Sequence, residues 1–365
     1  MGVTVQNRVD GAWHPARLPD ASLALDVLST LPALERLVPE WVALWSRAEA
    51  PLPFTHPGWM LAWWRTLGGG ALRVFTVRAD GRLVAVLSMF IYPDSGVSRL
   101  LPLGISVSDA FDLVAEPGWS RQAAAALVRA IRTDEDGWDR CELHEVPCSS
   151  ALHGPAAKAV LQSVSPALDL ERFAALPSRS GPRRRLARAQ RMTAEAGLLL
   201  DQPGLDAMDD LFTLHAAQWQ ARGEAGVLAS APVQAFHRQA ARALARTDTL
   251  RLHRLRDGAR TVAVLYGFQL RDRAYAYLSG IHPAYARLGL GTVLIGAAIS
   301  TARADGAREL DFLRGAERYK HAWGATDRVL LRLDLPAGAQ PRSSLRLLPC
   351  GLDSIVSTPD SMRPA

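Results

Sequence analysis

Lysine is nearly missing from this chain: its 365 residues contain only Lys158 and Lys320, so the formal charge of +6 rests on arginine. Abundant alanine beside arginine is also what a GC-rich coding bias produces, so basicity alone assigns no partner. It is compatible with a polyanion such as coenzyme A, an acidic carrier protein or tRNA. Cysteine is equally sparse. Cys141, Cys148 and Cys350 are too few and too scattered for a disulfide framework, which fits a reducing, cytoplasmic setting. No run of uncharged apolar residues is long enough to span a bilayer. Met1–Asp20 carries Asp10 and Asp20 and has no apolar core, so no signal peptide is expected there. No block of like charges marks a disordered tail, and a hydrophobic content of 48% supplies a sizeable core. The length favours two domains or one large one.

Periodicity organises the rest. Leu34, Leu37, Val38, Trp41 and Trp45 recur at helical spacing over Leu34–Ala48. Thr55 or His56 is placed to cap a helix over Gly58–Thr66. Arg73–Val77 and Leu83–Tyr92 read as a hairpin across Asp80-Gly81. A loop or short strand at Ile105–Glu116, a helix at Arg121–Arg132 and a strand at Trp138–Val146 follow. The second half repeats that order after a basic helix at Arg183–Gly197. Helices fall at Leu205–Ala221 and Pro232–Ala245, and strands at Leu250–Arg256, Thr261–Leu270 and Ala274–Ile281. Another helix runs from Gly291 to Asp305, with strands at Glu309–Leu313 and Arg328–Leu335 around a helical turn at Ala316–Trp323. Leu168–Pro182, rich in Pro, Ser and Gly, is the expected junction. The expected division is an extension over 1–25, domains over 26–170 and 171–338, and a tail over 339–365.

Two stretches carry a family resemblance. One comprises Tyr277–Tyr285, Gly289–Ile295 and the run Asp311-Phe312-Leu313-Arg314-Gly315-Ala316-Glu317-Arg318-Tyr319-Lys320 with Trp323. It resembles the GNAT-superfamily acetyltransferases known as CelD-like or BioF2-like, relatives of the Fem peptidyltransferases. Phe54–Trp59 and Ser108-Asp109 with Asp112 resemble the same family, so the likeness spans about 30–330. It implies an α/β fold of tandem GNAT-like domains, each a mixed, mostly antiparallel sheet flanked by helices. It also implies acyl or aminoacyl transfer to an amine, and a cellulose label need not describe the pathway.

The resemblance suggests roles that the residues themselves support unevenly. In GNAT enzymes, coenzyme A phosphates rest on backbone amides where a strand gives way to a helix, an end that favours anions. Here Arg287, Leu288, Gly289, Leu290, Gly291 and Thr292 fall at that point, with Ala286 where the family expects Arg or Gln. Tyr319 matches the family's general acid, which protonates the departing thiolate. Four residues separate it from Trp323, so the two are expected on one face, and a tyrosine packed on that tryptophan is the structural alternative. Glu317 and Lys320 are either a surface pair or part of the catalytic group. A lone lysine in an arginine-rich chain points to a task needing a compact ammonium. Asp311 is expected buried and paired with Arg314. His215 shares an i, i+4, i+8 stripe with Leu211 and Trp219, and is either a core histidine or a base that deprotonates the acceptor. Asp109 and Asp112 either cap their loop or hold a cationic amine, with Ala110 where the family places an aromatic. Tyr277, Trp219, Arg314 and Trp323 complete the candidate substrate contacts.

Cys141, His144 and Cys148 resemble a metal site only superficially, because strand alternation sends Cys141 and His144 to opposite faces, so no metal is expected. Arg179, Arg183, Arg184, Arg185, Arg188 and Arg191 form either a solvated face or a grip for phosphates, a carrier protein or tRNA. No aromatic residue accompanies them, against single-stranded nucleic acid. DNA is not an expected partner. No G-x-S-x-G elbow or Cys–His pairing competes with direct attack. The leading expectation is therefore an N-acyltransferase that moves an acyl group from acyl-CoA or an acyl carrier protein to a small or carrier-bound primary amine. The alternatives are a Fem-like aminoacyl-tRNA-dependent transferase and a non-catalytic GNAT binding module.

Overall fold

A computed structural model describes residues 23–133, 137–155 and 158–335. Most of the expected extension, the expected tail and Cys350 lie outside them. The first half runs β1 (Leu23–Leu28), α1 (Leu31–Arg47), α2 (Pro57–Thr66), β2 (Ala71–Ala79), β3 (Arg82–Asp94), β4 (Val97–Pro102), β5 (Val114–Ala115), α3 (Ser120–Thr133), β6 (Arg140–Pro147) and β7 (Lys158–Asp169). After α4 (Leu170–Ala175) and α5 (Gly181–Glu195) the order recurs. It runs β8 (Leu199–Asp201), α6 (Ala207–Gln220), α7 (Ala231–Ala245), β9 (Leu250–Asp257), β10 (Arg260–Leu270), β11 (Arg273–Ile281), α8 (Leu290–Ala304), β12 (Glu309–Asp311), α9 (Arg318–His321) and β13 (Thr326–Leu335).

Local chemistry sets these boundaries. Thr30 caps α1 by accepting from the Ala33 amide, and His56 Nδ1 caps α2 through the Gly58 amide at 3.0 Å. The β2–β3 turn places both Asp80 and Gly81 at positive φ, the geometry whose twist suits a two-residue hairpin. Ser95-Gly96 does the same between β3 and β4, a strand the sequence reading left out.

All but β5 lie on one sheet path in the order β1-β2-β3-β4-β6-β13-β7-β12-β11-β10-β9-β8. That order is a palindrome of the two units. Each unit lends its last strand to the other: β13 pairs with β6, and β7 with β12, while β7 and β13 pair along the centre. Among the described residues the only parallel contact in each unit is a short one, β4 with β6 and β11 with β12.

β7 and α4 were not anticipated. The stretch expected as a junction instead holds the end of β7, all of α4 and the start of α5. Ser163, Ser165 and Pro166 break the apolar alternation that marks a strand, but β7 needs little of it because β12 and β13 pair along its flanks.

One hydrophobic core joins the units, running from Trp41 and Trp63 through Phe54 and Trp59 to Phe236 and Tyr266. α2 lies directly on α7: a Cβ at Gly58 would come within 2.3 Å of the Ala243 methyl, so only glycine permits that approach. A second core packs Leu186 and Ala189 of the α5 face with Leu290, Leu294 and Ile299 of α8 against β9–β12. Among the described residues no helix is long and apolar enough to cross a membrane.

Candidate active site

The parallel contact between β11 and β12 covers only Arg273–Tyr275 against Glu309–Asp311, after which the strands separate. On its other side β11 shifts register against β10 between Ala276 and Leu278, leaving Tyr277 out of the ladder. A bulge of this kind bends a strand and re-aims a side chain. Tyr277 crosses to the first unit, where its hydroxyl donates to the Val107 carbonyl. Trp59, Phe54, Phe268 and Tyr266 enclose its ring at centroid distances of 5.4–5.8 Å. The Trp59 indole N–H in turn donates to Ser108 Oγ at 3.0 Å. Residues from the two distant stretches that resemble one family thus meet at the junction.

Beside Tyr277 lies a cluster of charge drawn from both units. Arg314 follows β12. Its guanidinium contacts Glu145 Oε1 at 3.2 Å and Asp109 Oδ1 at 3.4 Å. The expected Asp311–Arg314 pair is absent. Asp311 is buried and accepts instead from Ser165 Oγ at 2.6 Å and from the Leu313 amide at 2.8 Å, and burial raises its pKa. Burial also pushes Asp109 up to about 6, against the opposing pull of Arg314. Burial works against the charge of Arg314, yet Asp109 and Glu145 hold its pKa above the usual value.

Tyr319 sits close enough for Asp109 to act on its hydroxyl. Protein packed around that hydroxyl, then Glu317 and Asp109, raise the phenol pKa, so it stays protonated at neutral pH. About half of the residue's surface (53%) remains open to solvent. Its ring meets Phe312 edge-on at 6.2 Å, and Trp323 packs instead on Phe173 at 5.8 Å. The expected shared face is lost because α9 ends at His321, before Trp323. Trp323 is a buried core residue, not an open substrate contact.

Lys320 does not present its ammonium to solvent. Its side chain is 3% exposed, and Nζ donates to the carbonyls of Leu313, Arg314 and Gly315 at 3.0, 2.8 and 3.2 Å. Glu317 lies 2.8 Å away, so their pairing is buried on the lysine side and not a surface contact. Three carbonyls converging on one point suit a compact ammonium better than a planar guanidinium. That explains lysine here. The clamp fixes the segment bearing Arg314 and places Glu317 beside Tyr319.

The glycine-bearing loop takes the expected position. After β11 a 3-10 helix spans Pro283–Leu288, and Gly289 enters the left-handed region (φ +70°) as N-cap of α8 with no side-chain cap. Arg287 is exposed, Leu290 is buried, and Gly291 and Thr292 open the helix. Uncapped amides at a helix start accept anions readily. The matching segment of the first unit, ahead of α3, carries Glu116, whose carboxylate pairs with Arg47 and Arg82.

Other expected residues stay apart from the cluster. Asp112 does not pair with Asp109. It accepts from Ser150 Oγ at 2.6 Å, and burial lifts it to about 6. His215 is 3% exposed, burial drops its pKa to about 4, and its electrostatic neighbour is His237. Such an imidazole is a poor acceptor for an ammonium proton. Trp219 stacks with His215 and lies under Arg222 at 5.4 Å.

Glu145, which accompanies the rejected Cys141–His144–Cys148 metal pattern, had no expected role in the active site. It falls in a strand where period-two alternation was assumed, but its φ is +55° and the β6–β13 register shifts there, turning its carboxylate toward Arg314. Leu313, just after β12, likewise takes a positive φ of +60°. The Tyr266 hydroxyl and His237 Nδ1 are buried without hydrogen-bond partners among the described residues and carried no sequence signal. Among the described residues no group of three His, Cys, Asp or Glu side chains is arranged to hold a metal.

Residues 180–321 match the family model for an acetyltransferase (GNAT) domain. The second unit is therefore a GNAT domain, and the chain is an acyltransferase by class. Solved structures share the fold over most of both chains. FemX aligns with a TM-score of 0.62 at 10% identity, covering 81% of this chain and 95% of its own. The C-terminal domain of a putative lysylphosphatidylglycerol synthetase from Agrobacterium fabrum gives 0.56 at 13% identity, covering 82% and 92%. L-PGS from Bacillus licheniformis gives 0.54 at 11%, covering 77% and 92%. No curated protein sequence matches the chain.

Proposed function

We propose that the chain transfers an acyl group from a thioester to a primary amine at the junction of its two units. The observation that carries this is the convergence of Asp109, Arg314 and Tyr319 beside the open edge of β11. The donor's phosphate rests on the amides that open α8, and its arm follows the gap between β11 and β12. The amine binds on the Asp109 side. A carboxylate with a pKa of about 6 is ionised at neutral pH yet basic enough to take a proton from the attacking nitrogen. The C–N bond forms as the C–S bond breaks. The amine proton passes to Asp109, and the departing sulfur takes a proton from the Tyr319 hydroxyl. Arg314 keeps Asp109 ionised and in place, and Lys320 positions both Arg314 and Tyr319.

Asp109 replaces His215 as the base in this reading, because His215 loses its proton too easily to accept one at neutral pH. A second reading, with an aminoacyl ester on tRNA as donor, draws on the arginines of α5, none of which pairs with a carboxylate among the described residues. The test is thiol release from acetyl-CoA and acetyl-pantetheine with a panel of primary amines. Amine-dependent release that falls sharply in Asp109→Asn supports the proposal. Failure of every thioester, together with transfer from a charged tRNA, would establish the second reading instead.

A further inference from the structure

The surface next to the donor loop bears on how the acyl group arrives. α5 packs its inner face on α8: a Cβ at Gly296 would press on Leu186, and one at Gly289 would touch Ala189 at 3.2 Å. Leu186, Ala189 and Thr193 thus point inward. Arg184, Arg188 and Arg191, spaced i, i+4, i+7, lie on the opposite face and are exposed. At 1.5 Å per residue the three span about 10 Å, more than one phosphate group occupies. Arg185 flanks them and donates to the Ala322 carbonyl just after α9, tying the ridge to the segment that carries Tyr319. Glu195, at the far end of the helix, is its one carboxylate.

Several arginines elsewhere in the chain find acids, as Arg254 does with Asp201 and Asp206, and Arg78 with Glu40. The α5 arginines have no such partner among the described residues. An uncompensated ridge of one sign raises the encounter rate with a surface of the other. It lies along α8, whose uncapped start is the phosphate position of the proposed site. The exposed face carries no aromatic residue for bases to stack on, which disfavours a single-stranded nucleic acid.

We infer that the α5 ridge docks an acidic carrier protein, which delivers the acyl group on a phosphopantetheine arm. This rests on the acyl-transfer reading and selects its donor class. An acidic helix of the carrier lies against Arg184, Arg188 and Arg191. The phosphodiester of the arm reaches the start of α8, and the thioester enters the gap between β11 and β12.

The experiment compares wild type with the triple variant Arg184→Glu, Arg188→Glu, Arg191→Glu, using calorimetric titration with an acetylated type II acyl carrier protein, acetyl-pantetheine, acetyl-CoA and a charged tRNA. The expected result is tighter binding of the carrier than of acetyl-pantetheine by wild type. The triple variant loses at least ten-fold in affinity for the carrier, keeps its affinity for acetyl-pantetheine, and shows an unchanged Tm. Equal affinities of wild type and variant for the carrier would overturn the inference. So would a ten-fold loss confined to acetyl-CoA, which would make the ridge a nucleotide-phosphate contact, or to charged tRNA, which would make it an RNA surface. Binding of acetyl-pantetheine without any gain from the carrier removes only the docking surface. Binding of no thioester at all removes the acyl-transfer reading itself.

Discussion

Arg314 of the second unit and Asp109 of the first are in contact at 3.4 Å, and Glu145 holds the far side of the same guanidinium at 3.2 Å. The candidate base is therefore tuned by a residue its own unit does not contain. Neither unit assembles the cluster alone.

This contact sets a pH dependence. Asp109 must be ionised to accept a proton, so kcat/KM should fall as pH drops through about 6. Arg314 lowers that pKa, so Arg314→Met should move the acidic limb to higher pH. Asp109→Asn should abolish the limb and reduce kcat by roughly 10²–10⁴-fold. A limb near 6 that persists in Asp109→Asn would assign the base elsewhere.

Tyr319 is half-exposed and its ring meets Phe312 only edge-on, so its hydroxyl can be removed without unfolding the chain. Tyr319→Phe should lower kcat by about 100-fold while KM and Tm change little. Turnover equal to wild type in steady-state kinetics would remove the assigned acid.

Lys320 should behave as a clamp. Lys320→Met leaves three carbonyls and Glu317 without their cation, a loss of about 3 kcal/mol of stability. Lys320→Arg should not rescue it, because a planar guanidinium cannot meet the carbonyls of residues 313, 314 and 315 together. Urea denaturation checks both variants, and wild-type stability in either would contradict the clamp.

Stability should fall on acidification although Asp109, Asp112 and Asp311, all raised by burial, pull the other way. Asp109 and Asp112 have folded pKa values near 6, above the unfolded 3.8, so they bind protons in the folded state first and favour folding as pH falls through that window. His56, His215 and His253 are lowered to about 4 and His237 to about 3, so between those values and 6.5 the unfolded chain binds protons first. The lowered histidines, His144 among them, outnumber the raised aspartates, so the slope near pH 5.5 is about 1–3 kcal/mol per pH unit. Guanidinium melts at pH 7.5 and 5.5 measure the slope. A more stable chain at pH 5.5 would contradict these assignments.

The periodic helices and hairpins were legible because their apolar faces look toward a core. β7 was not, since Pro166 and its serines conceal a strand that two neighbours hold in place. Tyr319, Arg314, Asp109 and Tyr277 were each visible, but their convergence depends on the palindromic sheet, which no local spacing encodes. Glu145 was hidden by a bulge that defeats strand alternation. Lys320 was conspicuous for its rarity, and the reason turned out to be the geometry of three carbonyls.

The most direct test is a crystal structure with a non-hydrolysable acyl-thioester analogue of coenzyme A. Phosphate oxygens are expected on the amides of residues 290 and 291, the arm between β11 and β12, and the sulfur position within hydrogen-bonding reach of the Tyr319 hydroxyl with Asp109 on the far side of the carbonyl. Density in the corresponding gap between β4 and β6, beside Glu116, would contradict it.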